Sequence, residues 1–542
     1  MDFFAKSYKL SAILQKREFI IPEFQREYTW GKDQLDEFWD DINSAEGDYF
    51  LGTIVLSGKD FDSMGPFRII DGQQRLTTIL ILINRLIFRF ENIKEGNELA
   101  EALKSRIFFK DDNAKDHIIL QNQNAHKYFQ DIVLYNNVNN DSNVEAKKLN
   151  EAKEYFSSKL KSFDIVKLKD IRNILLNLDF IVVLQDDDQS AINIFVTLNF
   201  RGVNLDILDL VKSFIVTKFK KQEGIDDPRV TWKNILENIK INRKNFFNRY
   251  WASYYEKISE PKLYKNFNNK KDSIGAENLL KSLLKFSEVY RDALDSESTD
   301  WGLYCPYDKK LGTKIRGMIY SLDKFNIKVH YSFLITLLEL SKNKKIHQNK
   351  IIKMISIIEK FHFLFNAVCS YRPSGLDTLY SKYAVQLRLE GEDSDSIFSS
   401  LTEELVKRIP EKEEFISLFK ELSYTKDKGL ILYIFRLLEK KYSPGKDVDI
   451  SEESLDHLSP QASNEVWTHN IGNLILLEKE LNKKRDNKDL SSSYKIMEKT
   501  SFESTSNFLK VKLSKWDEEA CKQRAIILAE EIYNYTINSL KI

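Results

Sequence analysis

Two of the seven histidines, His457 and His469, lie within thirteen residues of each other among carboxylate and amide side chains. In Asp456-His457-Leu458-Ser459-Pro460-Gln461 the carboxylate and the imidazole are adjacent, so on an extended segment they point to opposite sides. One can then ligate a metal while the other faces a water held near it. Asn473 follows sixteen residues after His457 in IGNLILL, and Asn482 nine further on in ELNKKRDNK. Hydrolysis of a phosphodiester needs an activated water, a cation to stabilise charge on the phosphorane and leaving oxygen, and a group that holds the base in the right tautomer. His457 is the candidate base, Asp456 and Asn482 are the candidate metal ligands, and Asn473 is the candidate positioning group. Hard oxygen donors favour Mg2+ or Mn2+ over zinc. The plainer reading makes all four residues loop caps.

A second constellation stands near the N-terminus, where the strand-like FRII at 67–70 ends in Asp71-Gly72-Gln73-Gln74-Arg75 and opens the helical pattern LTTILILINRLIFRF. A strand that turns through glycine into a helix presents free backbone N–H groups and the positive end of the helix dipole at one point. Such a point binds anions. Asp71 is placed to hold a metal or position a water, Gly72 lets the backbone approach a phosphate, and Arg75 offers a fork suited to phosphate oxygens. Against this stands a local reading, with Asp71 capping the helix and Arg75 paired to it at i+4.

DHLSPQ, IGNLILLEKELN and the basic KKRDNK together resemble the HNH endonuclease domain with its ββα-metal hairpin, in the C-terminal form found in GmrSD-type modification-dependent restriction enzymes. His469 falls outside the triad positions of that pattern and receives no role beyond a phosphate contact. IPEFQREYTW, FLGTIVL, RIIDGQQRLTTI and FVTLNFRGVNLDILDLVKSF resemble the N-terminal domain of the same family, which is similar to ParB and sulfiredoxin folds. In that family the DGQQR motif is associated with binding and hydrolysis of a nucleoside triphosphate, GTP or ATP. The resemblance places Gln73 and Gln74 with Asp71, Gly72 and Arg75 in the nucleotide site and makes Asp71 a catalytic candidate there. It adds Gln25, Arg26, Asn199 and Arg201 as residues that close the pocket, although Arg26 and Arg201 also suit plain ion pairs. The implied substrate is foreign DNA, modified DNA above all, cut in defence against phage. Two further readings stay open: a nucleotide-controlled DNA-binding regulator that does not cut, and an HNH nuclease that acts on RNA.

The elements that must position these residues follow from pattern. In KDQLDEFWDDI, Leu35, Phe38, Trp39 and Ile42 have the i, i+3, i+4, i+7 spacing of an amphipathic helix. YFLGTIVL at 49–56, FRII and FIVVLQ at 180–185 read as strands, and 225–440 reads as helical throughout. The fold class is therefore α+β and predominantly helical. Its expected parts are an α/β domain over 1–220, a helical region over 221–419, and an HNH domain embedded in helices over 420–542. Residues 243–271 carry eight Lys or Arg against two Glu, interleaved with aromatics. Cations with interleaved rings suit phosphate contact and base stacking, but the helical spacing of Phe247, Tyr250, Trp251, Tyr254 and Tyr255 favours a buried stripe.

Composition agrees. Gly at 18 and Pro at 9 in 542 residues favour long helices over collagen-like or turn-rich chains. A net charge of +1 means that any nucleic-acid surface is a local patch. The three cysteines, Cys305, Cys369 and Cys521, are too scattered for a CxxC zinc site and suit a reducing cytoplasm. The apolar stretch 76–90 is broken by Asn84, Arg85 and Arg89, so no membrane span is expected. Self-association is left open.

Overall fold

Short β-branched and aromatic runs become strands here because helices cover both of their faces. The computed structural model describes residues 4–44, 49–123, 127–135, 143–199, 207–218, 228–390, 393–444, 453–459, 465–486, 488, 490–511 and 515–540. Among these the strands are β1 (Phe4–Lys9), β2 (Phe19–Ile21), β3 (Phe50–Ser57), β4 (Phe67–Asp71), β5 (Phe108–Lys110), β6 (Asp116–Ile118), β7 (Leu120–Asn122), β8 (Asp179–Gln185), β9 (Glu453–His457) and β10 (Leu474–Glu478). A mixed sheet runs in the order β1-β8-β3-β4-β2-β7. β8 is antiparallel to β1 and parallel to β3, β3 is antiparallel to β4, and β2 lies parallel to both β4 and β7.

Alternation along the central strands feeds two cores. Ile54, Leu56, Ile69, Val182 and Leu184 pack with Leu76, Ile79, Leu80 and Ile83 of the helix Gln73–Glu91. Val55, Ile70 and Val183 instead meet Phe24, Ala191 and Val216. A sheet covered on both sides needs apolar residues at every position, so these strands show no hydrophobic-to-polar alternation. The expected helix appears as Lys32–Ser44, with Leu35, Phe38, Trp39 and Ile42 buried. Trp30 packs on Phe38 with ring centroids 5.9 Å apart, a core contact.

The chain divides into two compact units, Met1–Arg229 with Phe267–Leu279, and Val230–Asn266 with Leu280–Ile542. The second unit is helical except for the hairpin β9–β10 and one isolated bridge, among the described residues. The fold is thus α+β and predominantly helical. Phe415 stands between Phe363, at 6.1 Å, and Tyr533, at 5.3 Å, so middle and C-terminal helices share one core. In the helix Arg243–Tyr254, Phe246, Phe247, Tyr250 and Trp251 are buried, and Tyr250 stacks on Tyr254 at 4.6 Å. This aromatic stripe is core, while Arg243 and Lys244 are exposed. Among the described residues no helix is long and apolar enough to cross a membrane, and the three cysteines are buried and free.

One polar clip in the first unit has a pH dependence that can be measured. His117 on β6 stacks on Phe109 at 5.3 Å and bridges two carboxylates, Nδ1 to Glu18 and Nε2 to Asp111 at 3.2 Å. The hydrogen bonds to Glu18 and then to Asp111 raise the His117 pKa. A raised folded-state pKa means that the clip contributes fully below the unfolded value of about 6.5 and is lost as pH rises through the folded value. The stability gap between wild type and His117→Ala should therefore narrow from about pH 6 into the mildly alkaline range. Thermal unfolding at both ends of that range checks it, and a gap that widens with pH would remove the charged clip.

Candidate active site

The hairpin and the helix Lys479–Arg485 that follows it bring the C-terminal residues together. β9 pairs antiparallel with β10, setting His457 opposite Leu474 and Asp456 opposite Ile475. Because adjacent strand residues face opposite ways, the two functional side chains part company at this strand end. The His457 ring meets Tyr424 at 4.8 Å and His469 at 6.0 Å, both nearly edge-on. Asp456 turns to the other side, where Arg485 is 1 % exposed and donates through Nη1 to Asp456 Oδ2 at 2.7 Å.

Burial, aided by His469 and Arg485, lowers the His457 pKa to about 4. The imidazole is therefore neutral at pH 7, the protonation state of a base. Burial also raises the Asp456 pKa, against the pull of Arg485 and of the His457 amide. Arg485 further donates to the carbonyls of His457 and Leu458 and to Ser493 Oγ, the last at 3.0 Å. One guanidinium thus fixes the backbone on which the candidate base sits.

Asn473 is fully buried and its amide is spent on the loops that flank that base. It donates to Ser459 O at 3.0 Å and Thr468 O at 2.7 Å, and accepts from Ser459 N at 2.9 Å and Trp516 Nε1 at 2.8 Å. It ties the end of β9 to the short turn Val466–His469, which carries the second imidazole. The preceding Gly472 is sterically required, since a Cβ there would lie 2.1 Å from the carbonyl oxygen of Cys521. Asn482 donates to Ser454 Oγ at 3.0 Å, one strand repeat before Asp456 on the same face.

Asp456 and Asn482 are hard oxygen donors, but as arranged they do not form an open cation site. Asp456 Oδ2 is held by Arg485 and Oδ1 accepts the His457 amide at 2.7 Å. Among the described residues no three His, Cys, Asp or Glu side chains converge on a point that would hold a metal ion. A divalent ion at Asp456 would have to displace a buried guanidinium.

At the N-terminal motif, Gly72 takes a left-handed φ of 95° between β4 and the helix Gln73–Glu91, as the strand-to-helix turn requires. Most of the neighbouring polar side chains hold the protein to itself. Gln73 and Gln74 donate to Arg26 O and Glu27 O, each at 3.1 Å, and Gln74 accepts from Thr29 N at 2.9 Å. Gln25 donates to Ile70 O at 2.8 Å. Arg75 donates to Leu51 O at 3.1 Å and Thr53 O at 2.8 Å and pairs with Asp71 at 3.3 Å, the i+4 contact.

Asp71 and Arg26 complete the polar groups of this turn. Asp71 is half-buried, its pKa raised by burial against the pull of Arg75, the Gly72 amide and Arg26, and Arg26 itself is exposed. Lys212 joins them, donating to Gln25 O at 3.0 Å. The Asn199 side chain and Arg201 lie outside the described residues. Lys212 and Arg485 lie inside the stretches FVTLNFRGVNLDILDLVKSF and KKRDNK, but each is one cation among 82 and its spacing alone gives it no separate role.

Comparison with protein families accounts for both ends of the chain. Residues 10–216 match the N-terminal domain of the GmrSD restriction endonucleases, and residues 409–531 match their C-terminal domain. The chain belongs to the GmrSD restriction endonuclease family, a class of restriction-type DNA endonucleases. No curated protein matches it.

Proposed function

We propose that the chain is a restriction endonuclease of the HNH type, cytoplasmic, that cuts modified foreign DNA under control of a nucleoside triphosphate. The observation that carries the nuclease assignment is the β9–β10 hairpin and following helix, which set a neutral His457 beside His469 at a buried strand end. In this reading the His457 ring takes the proton of the attacking water, and the hydroxide oxygen forms a bond to phosphorus as the ester P–O bond breaks. Asn473 and Arg485 hold the loops on either side of the ring, and His469 faces the negative phosphate. The family resemblance implies Mg2+ or Mn2+, whereas Asp456, the candidate ligand, is engaged by Arg485.

That engagement favours one second reading, a nucleotide-controlled DNA-binding regulator without cleavage. For the N-terminal site the proposal is GTP or ATP at the Gly72 turn, with Asp71, Arg26 and Lys212 facing it. One experiment separates the readings: purified protein incubated with modified and unmodified DNA, with Mg2+ or a chelator, with and without each triphosphate. Cutting that needs Mg2+, prefers modified DNA and responds to nucleotide is the expected result. DNA binding without cutting under every condition would establish the regulator.

A further inference from the structure

The second unit contains a cationic cavity that the nuclease chemistry does not use. Its volume is about 350 Å³, and it opens between the helices Gly312–Lys324, Gln348–His362 and Glu518–Leu540. Lys314 enters from the first helix, Lys353 and Lys360 from the second, and Ser539 from the third. Asn349 and Ser356 supply further polar groups, Leu311 and Ile352 supply the apolar lining, and among the described residues no carboxylate or aromatic ring lines it. On the second helix, positions 349, 353, 356 and 360 fall on one face by their i, i+4, i+7 and i+11 spacing.

The surrounding sequence strengthens the charge. Residues 309–322 hold Lys309, Lys310, Lys314 and Arg316 and no Asp or Glu. Residues 340–358 hold Lys342, Lys344, Lys345, Lys350 and Lys353, again with no Asp or Glu. Among the described residues only Lys342, to Glu288 at 3.3 Å, and Lys350, to Asp395 at 2.7 Å, of these cations make ion pairs. In a chain with a net charge of +1 these are two basic stretches, bounded by Asp308 and Asp323 and by Glu339 and Glu359, that send Lys314 and Lys353 into the cavity.

We infer that this cavity and its rim bind the phosphate backbone of duplex DNA away from the cutting centre, an inference that rests on the nuclease reading above. Lysine ammoniums with serine and asparagine partners fit phosphate oxygens, and among the described residues no aromatic ring lines the cavity to stack a free base. The geometry gives the register. The helix Glu518–Leu540 begins at the hairpin, where Arg524 donates to Leu474 O at 2.7 Å, and reaches the cavity at Ser539. Fifteen residues at 1.5 Å per residue span about 22 Å, which is about six base pairs of duplex at 3.4 Å per pair. A duplex running along this helix from the hairpin would pass the cavity roughly half a turn further on.

The test uses full-length protein, a chelator to prevent cutting, and a fluorescent duplex of about 20 base pairs, long enough to span both places at 3.4 Å per pair. Anisotropy titrations across a range of NaCl compare wild type with Lys314→Ala/Lys353→Ala, both exposed positions, and with Lys59→Ala/Lys94→Ala, which removes the same charge from the first unit. Losing two phosphate contacts should weaken binding and flatten the slope of log K against log salt by about 1.8. The control should keep the wild-type slope. Equal slopes for the two double variants would overturn the inference. So would a free triphosphate or pyrophosphate whose binding the cavity variant loses while its DNA slope stays unchanged, since the pocket would then serve a free phosphate compound. Cutting by wild type with Mg2+ is scored separately. Its absence beside a flattened slope sinks the nuclease reading and keeps the cavity, whereas normal cutting beside equal slopes sinks the cavity alone.

Discussion

His457→Ala should lower DNA cleavage by about 10² to 10⁴, the usual cost of losing a general base, while DNA binding in the absence of metal stays at the wild-type level. The ring is buried against Tyr424 and His469, so alanine leaves a small void at a strand end and modest destabilisation follows. His457→Asn keeps most of that volume and hydrogen-bonding capacity but cannot take the proton. It should be as inactive as the alanine variant and more stable. A pKa of about 4 marks a ring that is unprotonated but weak as a base. A phosphodiester anion brought against it favours the imidazolium and raises its basicity toward the useful range. Single-turnover cleavage of a labelled duplex measures the effect, and a wild-type rate in either variant would remove His457 from the chemistry.

The parts of this protein that announced themselves were those whose pattern is local. Leu35, Phe38, Trp39 and Ile42 give one helical face, and FRII followed by a glycine gives a strand and its turn, because each signal rests on neighbours within a few residues. Strand β1 carried no such signal. FAKSYK is polar and exposed over most of its length, and it is extended because it closes a ladder with β8, from Phe4 opposite Leu184 to Lys9 opposite Asp179. That pairing joins residues 170 to 180 positions apart and is invisible to any local window.

The site divides the same way. Adjacency of Asp456 and His457 on an extended segment foretold their divergence, and the structure shows it. What spacing could not tell was where each polar side chain spends its hydrogen bonds. Arg75 reads as a phosphate ligand by type and the resemblance adds Gln73 and Gln74, yet the donors of all three go to the carbonyls of Arg26, Glu27, Leu51 and Thr53. The two glutamines tie the segment Arg26–Thr29 to the helix Gln73–Glu91. Likewise His469 looked peripheral, twelve residues from His457, until the Asn473 clasp folded its turn back onto the hairpin.

Arg485→Ala should cost roughly 3 to 5 kcal/mol of stability in the second unit, the range for stranding one partner of a buried ion pair. The guanidinium is 1 % exposed and the Asp456 residue 7 %, so water cannot replace what is lost. Removal takes the Arg485 donor from Asp456 Oδ2 and from the carbonyls of His457 and Leu458 at once. Arg485→Lys should recover little, because one ammonium cannot reach Asp456, both carbonyls and Ser493 in the fixed fork that arginine provides. The deficit should also depend on pH with a definite sign. Burial already holds the Asp456 pKa above its ordinary value with Arg485 present, and without the cation it rises further. A carboxyl whose folded pKa is raised destabilises the fold when ionised, so the loss in Arg485→Ala should be largest near neutral pH and shrink as acid protonates Asp456. Asp456→Asn in the same background should then restore part of the stability, a coupling that a double-mutant cycle in urea measures directly. Strictly additive effects of the two substitutions, or a deficit that grows toward acid pH, would show that Arg485 steadies the hairpin through its carbonyl contacts alone and that Asp456 is free to serve another partner.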